Sequence, residues 1–360
     1  MKIKITVFFL ILTGALNAYA QGTSKRVLFL GNSYTYTNNL PQMIANMASS
    51  VGDTLIFDQY TPGGYYLYEH WNDSNSTNKI KIGNWDDVVL QEQSLAPALP
   101  NDLFFGNLMP YTYKLDSLIN HYNDCAETVF YRTWGRKNGE ISYCSVYTPY
   151  PWPYFCSYAS MDSVLKVRYQ LMADSNNAIV SPVGSVWNYI RKNIPNLELY
   201  QIDESHPSLL GTYAAACTFY AIIFRKNPLN INYNAGLTGA ESDAIKNAAK
   251  LVAFDSLLVW NVGKYDSIMN LNCTSLNNNQ FSIKINTWQV FPNPSGDRIS
   301  LSNAVIDSTS YLQIYNVLGK VVKTIDKASF SNIDVTSLPK GIYYLKINNN
   351  QSTVLKFIKS

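Results

Sequence analysis

Three residue types in this chain could together perform nucleophilic catalysis: a serine, a histidine and an aspartate. Ser33 follows Gly31 and Asn32 at the end of an apolar run, and Asp203 lies three residues before His206. One turn between Asp203 and His206 would let the carboxylate accept the imidazole N–H and fix its tautomer. The imidazole could then take the proton of the Ser33 hydroxyl as that oxygen attacks a carbonyl. The sequence therefore predicts a triad in the chain order serine, acid, base.

The choice of a general base is narrow, because the chain has only three histidines. His121 lies on a predicted helix, and we expect it to be structural or to face solvent. His70 stands between Glu69 and Trp71, where it could border a pocket, but no orienting carboxylate lies at an informative spacing. His206 is therefore the predicted base.

A strand, a loop and a helix must hold Ser33. Residues 27–30 form an apolar run typical of a strand buried on both faces of a parallel sheet. A helical pattern follows at 40–47, with Asn39 placed to cap it and Pro41 near its first position. Ligands of open α/β sheets bind at the carboxyl ends of the strands, which is where Ser33 would lie.

Further strands and helices alternate along the chain. Four more apolar segments predict strands, at 54–58, 87–91, 128–134 and 178–182. Helical patterns lie between and after them, at 108–121, 158–174, 186–193, 208–225 and 241–258. This alternation predicts an α/β fold with a parallel sheet and helices on both faces.

Composition limits the class of protein. With 360 residues, two domains are expected rather than one, and 47% hydrophobic residues argue against disorder. The net charge is only +3 and no basic run is present, so nucleic acid is excluded as the expected partner. The 27 tyrosines include many in polar segments such as 65–68 and 147–154. Amphipathic rings suit either core-rim packing or a glycan-facing surface, and both interpretations stand.

The first residues predict export. Lys2 and Lys4 precede an apolar stretch at 5–12, and Ala18 and Ala20 form a small-x-small site. These features indicate a signal peptide at 1–20, cut after Ala20. No later apolar stretch is long enough to predict a transmembrane span.

The cysteines predict a disulfide rather than a metal site. In an exported protein, five cysteines allow one or two disulfides and leave at least one thiol unpaired. Cys144 and Cys156 flank a loop rich in Tyr and Pro and are the favoured pair. No Cys-x-x-Cys or His-rich spacing is present, so the sequence predicts no metal and no cofactor.

The composition changes in the last quarter of the chain. Residues 270–280 are rich in Asn and Ser, as in a linker. Short alternating segments then predict a small all-β sandwich, with strands at 298–302, 311–315, 321–325, 341–347 and 353–357. The predicted organisation is therefore a signal peptide at 1–20, an α/β domain at 24–265, a linker at 266–285 and a β-sandwich at 286–360.

The α/β region resembles a known superfamily. Three motifs carry the resemblance, in chain order: Gly31-Asn32-Ser33 after a strand, Gly63-Gly64 after the second strand, and Asp203-x-x-His206-Pro207 near the end of the region. These motifs are similar to those of the SGNH (GDSL-like) hydrolases, and the resemblance covers about residues 24–262. The resemblance implies a flavodoxin-like three-layer α/β/α sandwich, with Ser33 as nucleophile, His206 as base and Asp203 orienting it. It also implies an oxyanion hole formed by the backbone N–H groups of Ser33 and Gly64.

One part of the superfamily pattern differs here. A third oxyanion donor usually comes from the Asn of a Gly-x-Asn-Asp segment after the third strand, where this chain has Gln91-Glu92-Gln93-Ser94. A glutamine amide can donate the same hydrogen bond from a longer arm, and Gln91 is preferred over Gln93 as the third donor. Alternatively, both side chains merely cap the strand. The choice matters, because losing one oxyanion donor typically costs about 10²- to 10³-fold in rate.

The C-terminal region resembles the sorting domain of the type IX secretion system of Bacteroidetes-type bacteria. The matching segments are residues 291–294, 312–320, 334–344 and 356–359. The resemblance implies recognition by the type IX machinery, passage across the outer membrane and removal of the domain afterwards. The same strand pattern would also permit a carbohydrate-binding sandwich.

Taken together, these features predict a secreted or cell-surface serine esterase. The preferred substrate is an O-acetyl or short acyl group on a carbohydrate, because export and aromatic loops suit a glycan, while lipids and peptidoglycan remain open. The alternative is a non-catalytic glycan-binding surface protein on the same scaffold, since a fold does not fix a function.

Overall fold

The computed structural model describes residues 22–123, 125–144, 152–266, 289–291, 293–302, 311–316, 320–325, 332–348 and 353–359. The predicted signal peptide and the Asn- and Ser-rich stretch at 270–280 lie outside these residues. The chain divides into two compact units, Met1–Ser275 and Leu276–Ser360.

The first unit contains a five-stranded parallel sheet. Its strands are β1 Ser24–Leu30, β2 Thr54–Tyr60, β3 Asp87–Leu90, β4 Glu127–Tyr131 and β5 Ile179–Ser181. They pair in the order β2-β1-β3-β4-β5, and every pair is parallel. This order is the flavodoxin-like one, so the predicted α/β class and all five predicted strands are confirmed.

Two groups of helices flank the sheet. The helices are α1 Ser33–Tyr36, α2 Leu40–Ser49, α3 Leu67–Asn72, α4 Ser74–Ile80, α5 Asn101–Leu103, α6 Met109–Tyr122, α7 Ile141–Cys144, α8 Tyr158–Asn176, α9 Val183–Asn193, α10 Leu209–Ile223 and α11 Gly239–Val252. One group comprises α2, α9, α10 and α11, and the other α3, α4, α6 and α8, which gives the three-layer sandwich. Within the described residues, no helix is both long and apolar enough to cross a membrane.

The core explains why β1 is so apolar. Residues 27–30 are completely buried, and α10 is buried over all of residues 211–223. The ring of Phe219 on α10 meets Phe29 of β1 with centroids 5.9 Å apart and Tyr131 of β4 at 4.8 Å. Because α10 packs on both β1 and β4, it holds the carboxyl ends of these strands, and therefore the start of the loops that follow them, in fixed positions.

The junction after β1 differs from the polar loop that the sequence predicts. Residues 33–36 form the short helix α1, because the Asn32 side-chain oxygen accepts the Tyr34 N–H at 3.1 Å and caps it. Asn39 does precede α2, and Pro41 lies in the first turn of that helix. However, Asn39 has a left-handed backbone with φ of 52° and its side chain makes no capping bond. Asparagine tolerates this conformation better than most residues.

The cysteine prediction is confirmed where the structure describes it. Cys144 and Cys156 form a disulfide, with their Cα atoms 4.9 Å apart. Cys217 on α10 is a buried free thiol.

The second unit is all-β. Its strands are β6 Gln289–Phe291, β7 Arg298–Ser302, β8 Tyr311–Asn316, β9 Val321–Ile325, β10 Ile333–Asp334, β11 Gly341–Asn348 and β12 Thr353–Lys359. They form two antiparallel sheets, β10-β7-β6 and β12-β11-β8-β9. Ile299 of the first sheet shares one buried cluster with Leu312, Leu345 and Phe357 of the second. The predicted small all-β sandwich is therefore confirmed.

Candidate active site

The structure brings Ser33, His206 and Asp203 into one hydrogen-bonded chain. Ser33 is the first residue of α1, directly past the carboxyl end of β1, and it is partly exposed. Its Oγ lies 2.9 Å from Nε2 of His206. Nδ1 of the same ring is hydrogen-bonded to Oδ2 of Asp203. This is the connectivity that a serine, a general base and an orienting acid require.

The Asp203 carboxylate is held by its own loop. Oδ1 accepts the backbone N–H groups of Ser205 at 3.1 Å and His206 at 3.0 Å. Burial pushes the pKa of Asp203 upward, but hydrogen bonds from the His206 ring and from these N–H groups outweigh burial and hold the pKa below its usual value. An ionised Asp203 favours the proton on Nδ1 of His206, which leaves Nε2 free to accept the Ser33 proton.

Two aromatic residues clamp the loop between Asp203 and His206. The Tyr34 hydroxyl and Ser205 Oγ lie 2.7 Å apart, and Trp134 Nε1 donates to the Ser205 carbonyl at 3.1 Å. The Tyr34 ring stacks on Trp134 at 4.7 Å and meets the edge of His206 at 5.4 Å. Trp134 in turn stacks on Trp187 at 3.7 Å. Sequence reasoning missed these residues, because no motif spacing links position 134 to position 205.

The structure places the amide of Gln91, the predicted third oxyanion donor, inside the protein. Its side chain is fully buried, and its Nε2 donates to Asn32 Oδ1 at 2.9 Å and to the Glu92 carbonyl at 2.6 Å. Its Oε1 accepts the Asn32 N–H and the Thr35 hydroxyl, both at 2.9 Å. Both amide hydrogens are therefore used inside the protein. The longer arm folds back and braces the turn that carries Ser33.

The same packing explains the glycine before Asn32. A Cβ atom at Gly31 would lie 2.6 Å from Thr35 Oγ1 and 2.7 Å from Gln91 Oε1, closer than real Cβ contacts. A side chain at this position would displace the Gln91 amide from the turn. The weaker candidate, Gln93, caps the following segment, since its Oε1 accepts the Leu95 N–H at 2.7 Å.

Gly64 lies in an exposed turn beside the serine loop. The Tyr65 N–H donates to the Pro62 carbonyl at 3.3 Å, and Gly64 inside this turn has a left-handed φ of 77° that favours glycine. Asn32 Nδ2 donates to the Tyr65 carbonyl at 2.9 Å and ties the two loops together. The backbone N–H groups of Ser33 and Gly64 remain the predicted oxyanion donors.

His70 supports the serine loop from below. It is fully buried, with Nε2 3.0 Å from the Gly31 carbonyl and Nδ1 2.8 Å from Ser76 Oγ. Burial lowers its pKa to about 4, so the ring is neutral near neutral pH. Nε2 must then donate to the Gly31 carbonyl, while Nδ1 accepts from the Ser76 hydroxyl. His121 is exposed and its ring lies 4.7 Å from that of Tyr122, so of the two expected roles, structural or solvent-facing, the structure shows the second.

Glu92 is a second buried titratable group that the sequence did not single out. One carboxyl oxygen accepts the N–H groups of Leu67 at 3.1 Å and Gln93 at 2.7 Å. Burial raises its pKa to about 8, so the carboxyl is protonated at neutral pH. The Glu92 carboxyl group thus links the segment after β3 to the start of α3. Among the described residues, no group of three or more His, Cys, Asp or Glu side chains could hold a metal ion.

Comparison with solved structures concerns the fold of the first unit. A DUF4886 family protein from Bacteroides uniformis matches with a TM-score of 0.52 and 16% identity, over 65% of this chain and 95% of that one. A candidate SGNH hydrolase from Slackia heliotrinireducens matches with a TM-score of 0.45 and 24% identity, over 55% and 98% of the two chains. A candidate GDSL-like lipase from Parabacteroides merdae gives 0.38 and 13%, over 56% and 95%. At these identities, the likeness concerns the fold alone.

Comparison with protein families concerns the second unit. Residues 289–360 match the family described as the secretion system C-terminal sorting domain. No curated protein matches the sequence. A domain of this family indicates export through the type IX secretion system to the cell surface or beyond it. The C-terminal unit is thus a secretion system C-terminal sorting domain, and the N-terminal unit shares its α/β fold with the DUF4886 family protein from Bacteroides uniformis.

Proposed function

We propose that this protein is an exported serine esterase that removes a short acyl group from a carbohydrate. The observation that carries the proposal is the 2.9 Å contact between Ser33 Oγ and His206 Nε2, with Asp203 on the other ring nitrogen. The three groups stand at the carboxyl edge of a parallel sheet, where ligands of this fold class bind. Ser33 and His206 are both partly exposed, so a substrate can reach them.

The proposed reaction is acyl transfer through the serine. His206 takes the hydroxyl proton as Ser33 Oγ attacks the ester carbonyl, and the backbone N–H groups of Ser33 and Gly64 stabilise the oxyanion. Collapse of the tetrahedral intermediate releases the alcohol, which receives the proton from His206. His206 then deprotonates a water molecule, which attacks the acyl carbonyl. Collapse of this second intermediate breaks the bond to Ser33 Oγ, which takes the proton back from His206, and releases the acid.

Exposed tyrosines on α1 and α3 support a carbohydrate as the alcohol part of the ester. Tyr36 on α1 is 48% exposed, and Tyr68 on α3 is 42% exposed. Exposed aromatic rings offer apolar faces with polar edges, which suits sugar rings. Export through the sorting domain would place the enzyme where polysaccharides are found.

The test is a Ser33→Ala variant assayed on a short acyl ester. We expect kcat to fall by about 10⁴-fold or more with the fold intact, because the nucleophile is lost. Ser163→Ala, an exposed serine on α8, is the matched control and should keep full activity. Wild-type activity in Ser33→Ala would rule out the proposed nucleophile.

The second candidate is a non-catalytic glycan-binding protein. The observation in its favour is that the Gln91 amide donates its hydrogens inside the protein, to Asn32 Oδ1 and the Glu92 carbonyl. A fluorophosphonate probe separates the two candidates, because it labels only an activated serine. Labelling at Ser33 supports the esterase, whereas glycan binding without labelling supports the binding protein.

A further inference from the structure

A row of aromatic side chains runs along α3 and α6. We call it the aromatic strip, and its members are Tyr66, Tyr68, Trp71, Tyr111 and Tyr113. The Tyr66 and Tyr68 rings lie 5.3 Å apart, and Tyr68 and Tyr111 lie 6.0 Å apart. Tyr68 and Tyr113 are 42% and 40% exposed. Grouped apolar surface of this kind usually marks a binding site.

A groove and a cation lie at the far end of the strip. The groove has a volume of about 420 Å³, and its lining residues are Trp71, Tyr113, Lys114, Ser117, Leu118 and His121. The Lys114 ammonium lies 5.5 Å from the Trp71 ring centre and 4.8 Å from that of Tyr111. The ammonium thus lies within cation–π distance of both rings, while the Lys114 side chain stays exposed.

The strip begins beside the serine loop. Tyr66 directly precedes α3 and follows the Gly64 turn, whose Tyr65 carbonyl is bonded by Asn32. The Tyr36 hydroxyl also approaches this turn, since it lies 3.6 Å from the point where a Cβ would stand at Gly63. A chain molecule with one unit at Ser33 could therefore continue over the rings.

The charges of the groove favour an anionic ligand. No Asp or Glu lines it, whereas Lys114 does. Lys114 is exposed, and the nearest acid in sequence, Asp116, is buried. Aromatic faces together with an exposed ammonium suit a sugar ring that carries a carboxylate.

We propose that the aromatic strip and its groove bind uronic acid units of an acylated polysaccharide whose ester lies at Ser33. This inference rests on the proposed esterase function. Stacking on the rings would hold the sugar faces, and Lys114 would pair with a uronate carboxylate. The strip would thereby select acidic chains without taking part in acyl transfer.

Calorimetry on the Ser33→Ala protein tests the binding part. We expect an oligogalacturonate to bind at least about tenfold more tightly than a neutral xylo-oligosaccharide, since one charge-assisted contact is worth that much. Lys114→Gln and Trp71→Ala should each weaken oligogalacturonate binding about tenfold, and Trp71→Phe should restore part of it. Lys192→Gln, an exposed lysine on α9, is the matched control and should bind as the parent does.

Activity assays separate this inference from the esterase proposal. In the wild-type background, Lys114→Gln should raise KM for acetylated polygalacturonate about tenfold and leave hydrolysis of p-nitrophenyl acetate unchanged. Equal binding of both oligosaccharides, or variants that bind as the parent does, would overturn the strip. If the oligogalacturonate binds as expected but the wild-type protein hydrolyses no ester, the strip stands and the esterase proposal fails.

Discussion

His70, which is buried beside the loop that carries Ser33, should make the free energy of unfolding depend on pH in the acid range. Its pKa falls from an ordinary 6.5 to about 4 because the neutral ring is buried under Gly31. Between these values the unfolded chain binds the proton more tightly than the folded protein, so unfolding becomes easier as the pH falls. The full effect is about 3 kcal/mol. We expect the free energy of unfolding, measured by urea denaturation, to fall between pH 7 and pH 4 in both proteins. The fall should be about 3 kcal/mol smaller in His70→Gln than in the wild type.

The comparison isolates His70, because the other titrating groups, Glu92 and Asp203 among them, are shared by both proteins. A glutamine can still donate to the Gly31 carbonyl and accept from Ser76, so the variant should fold. His121→Gln is the matched control, since His121 is exposed, and it should show the wild-type pH dependence. If His70→Gln also keeps that dependence, burial of the neutral ring is not what makes the fold acid-sensitive.

At this scale the sequence was informative only over short distances. Asp203 and His206 are three residues apart, so one turn suffices to predict their contact. The partner of Gln91 is Asn32, 59 residues earlier, and no local pattern shows that the two side chains saturate each other. For that reason the sequence predicted that Gln91 stands at the end of β3 but did not predict that its amide hydrogens bond to Asn32 and Glu92.

Among the elements, the loop after β4 positions the loop that carries His206. Trp134 donates to the Ser205 carbonyl at 3.1 Å, and the Lys137 N–H donates to the Glu204 carbonyl at 2.9 Å. We expect Trp134→Phe to keep the stack on Tyr34 but lose the first bond, which lets the His206 ring drift from Ser33. Such a displacement should lower kcat about tenfold or more with KM little changed, as steady-state kinetics on a short acyl ester would show.

The matched control for Trp134→Phe is Trp260→Phe. Trp260 also donates its indole N–H to a backbone carbonyl, that of Val252 at 2.7 Å, but among the described residues it makes no hydrogen bond to the loop that carries His206. Its variant should lose some stability and keep kcat. If both variants lower kcat equally, general destabilisation rather than loop position explains the effect.

The regular elements could be predicted because each satisfies its own pattern. The strands are short apolar runs that end in polar loops, and α8 and α10 have lengths and periods that strands do not have. The helix α1 was missed because only four residues form it and its cap, Asn32, also serves the Gln91 network. Local sequence patterns were therefore enough to predict the sheet and its main helices. The structure of the junction at Ser33 depends on tertiary hydrogen bonds, which these patterns do not show.

For the whole molecule, two separate cores suggest two separable domains. The buried cluster of the first unit extends from Val27 to Val262, and that of the second from Ile299 to Phe357. Cores that share no residues can fold independently. The second unit could be recognised from the sequence because several of its segments match motifs of the sorting domain. Its fold therefore did not have to be predicted from strand periodicity alone.

We propose that the α/β unit alone carries the activity. A protein of residues 21–268 keeps Ser33, Asp203 and His206, and it also keeps the 3.0 Å salt bridge between Arg225 and Asp266 near its new end. We expect it to fold, as judged by circular dichroism, and to hydrolyse a short acyl ester with the kcat of the full chain. In a host with a type IX secretion system, fractionation should find the full chain outside the outer membrane and the truncated protein inside it. A truncated protein that folds but has lost activity would mean that the sorting domain contributes to the active site.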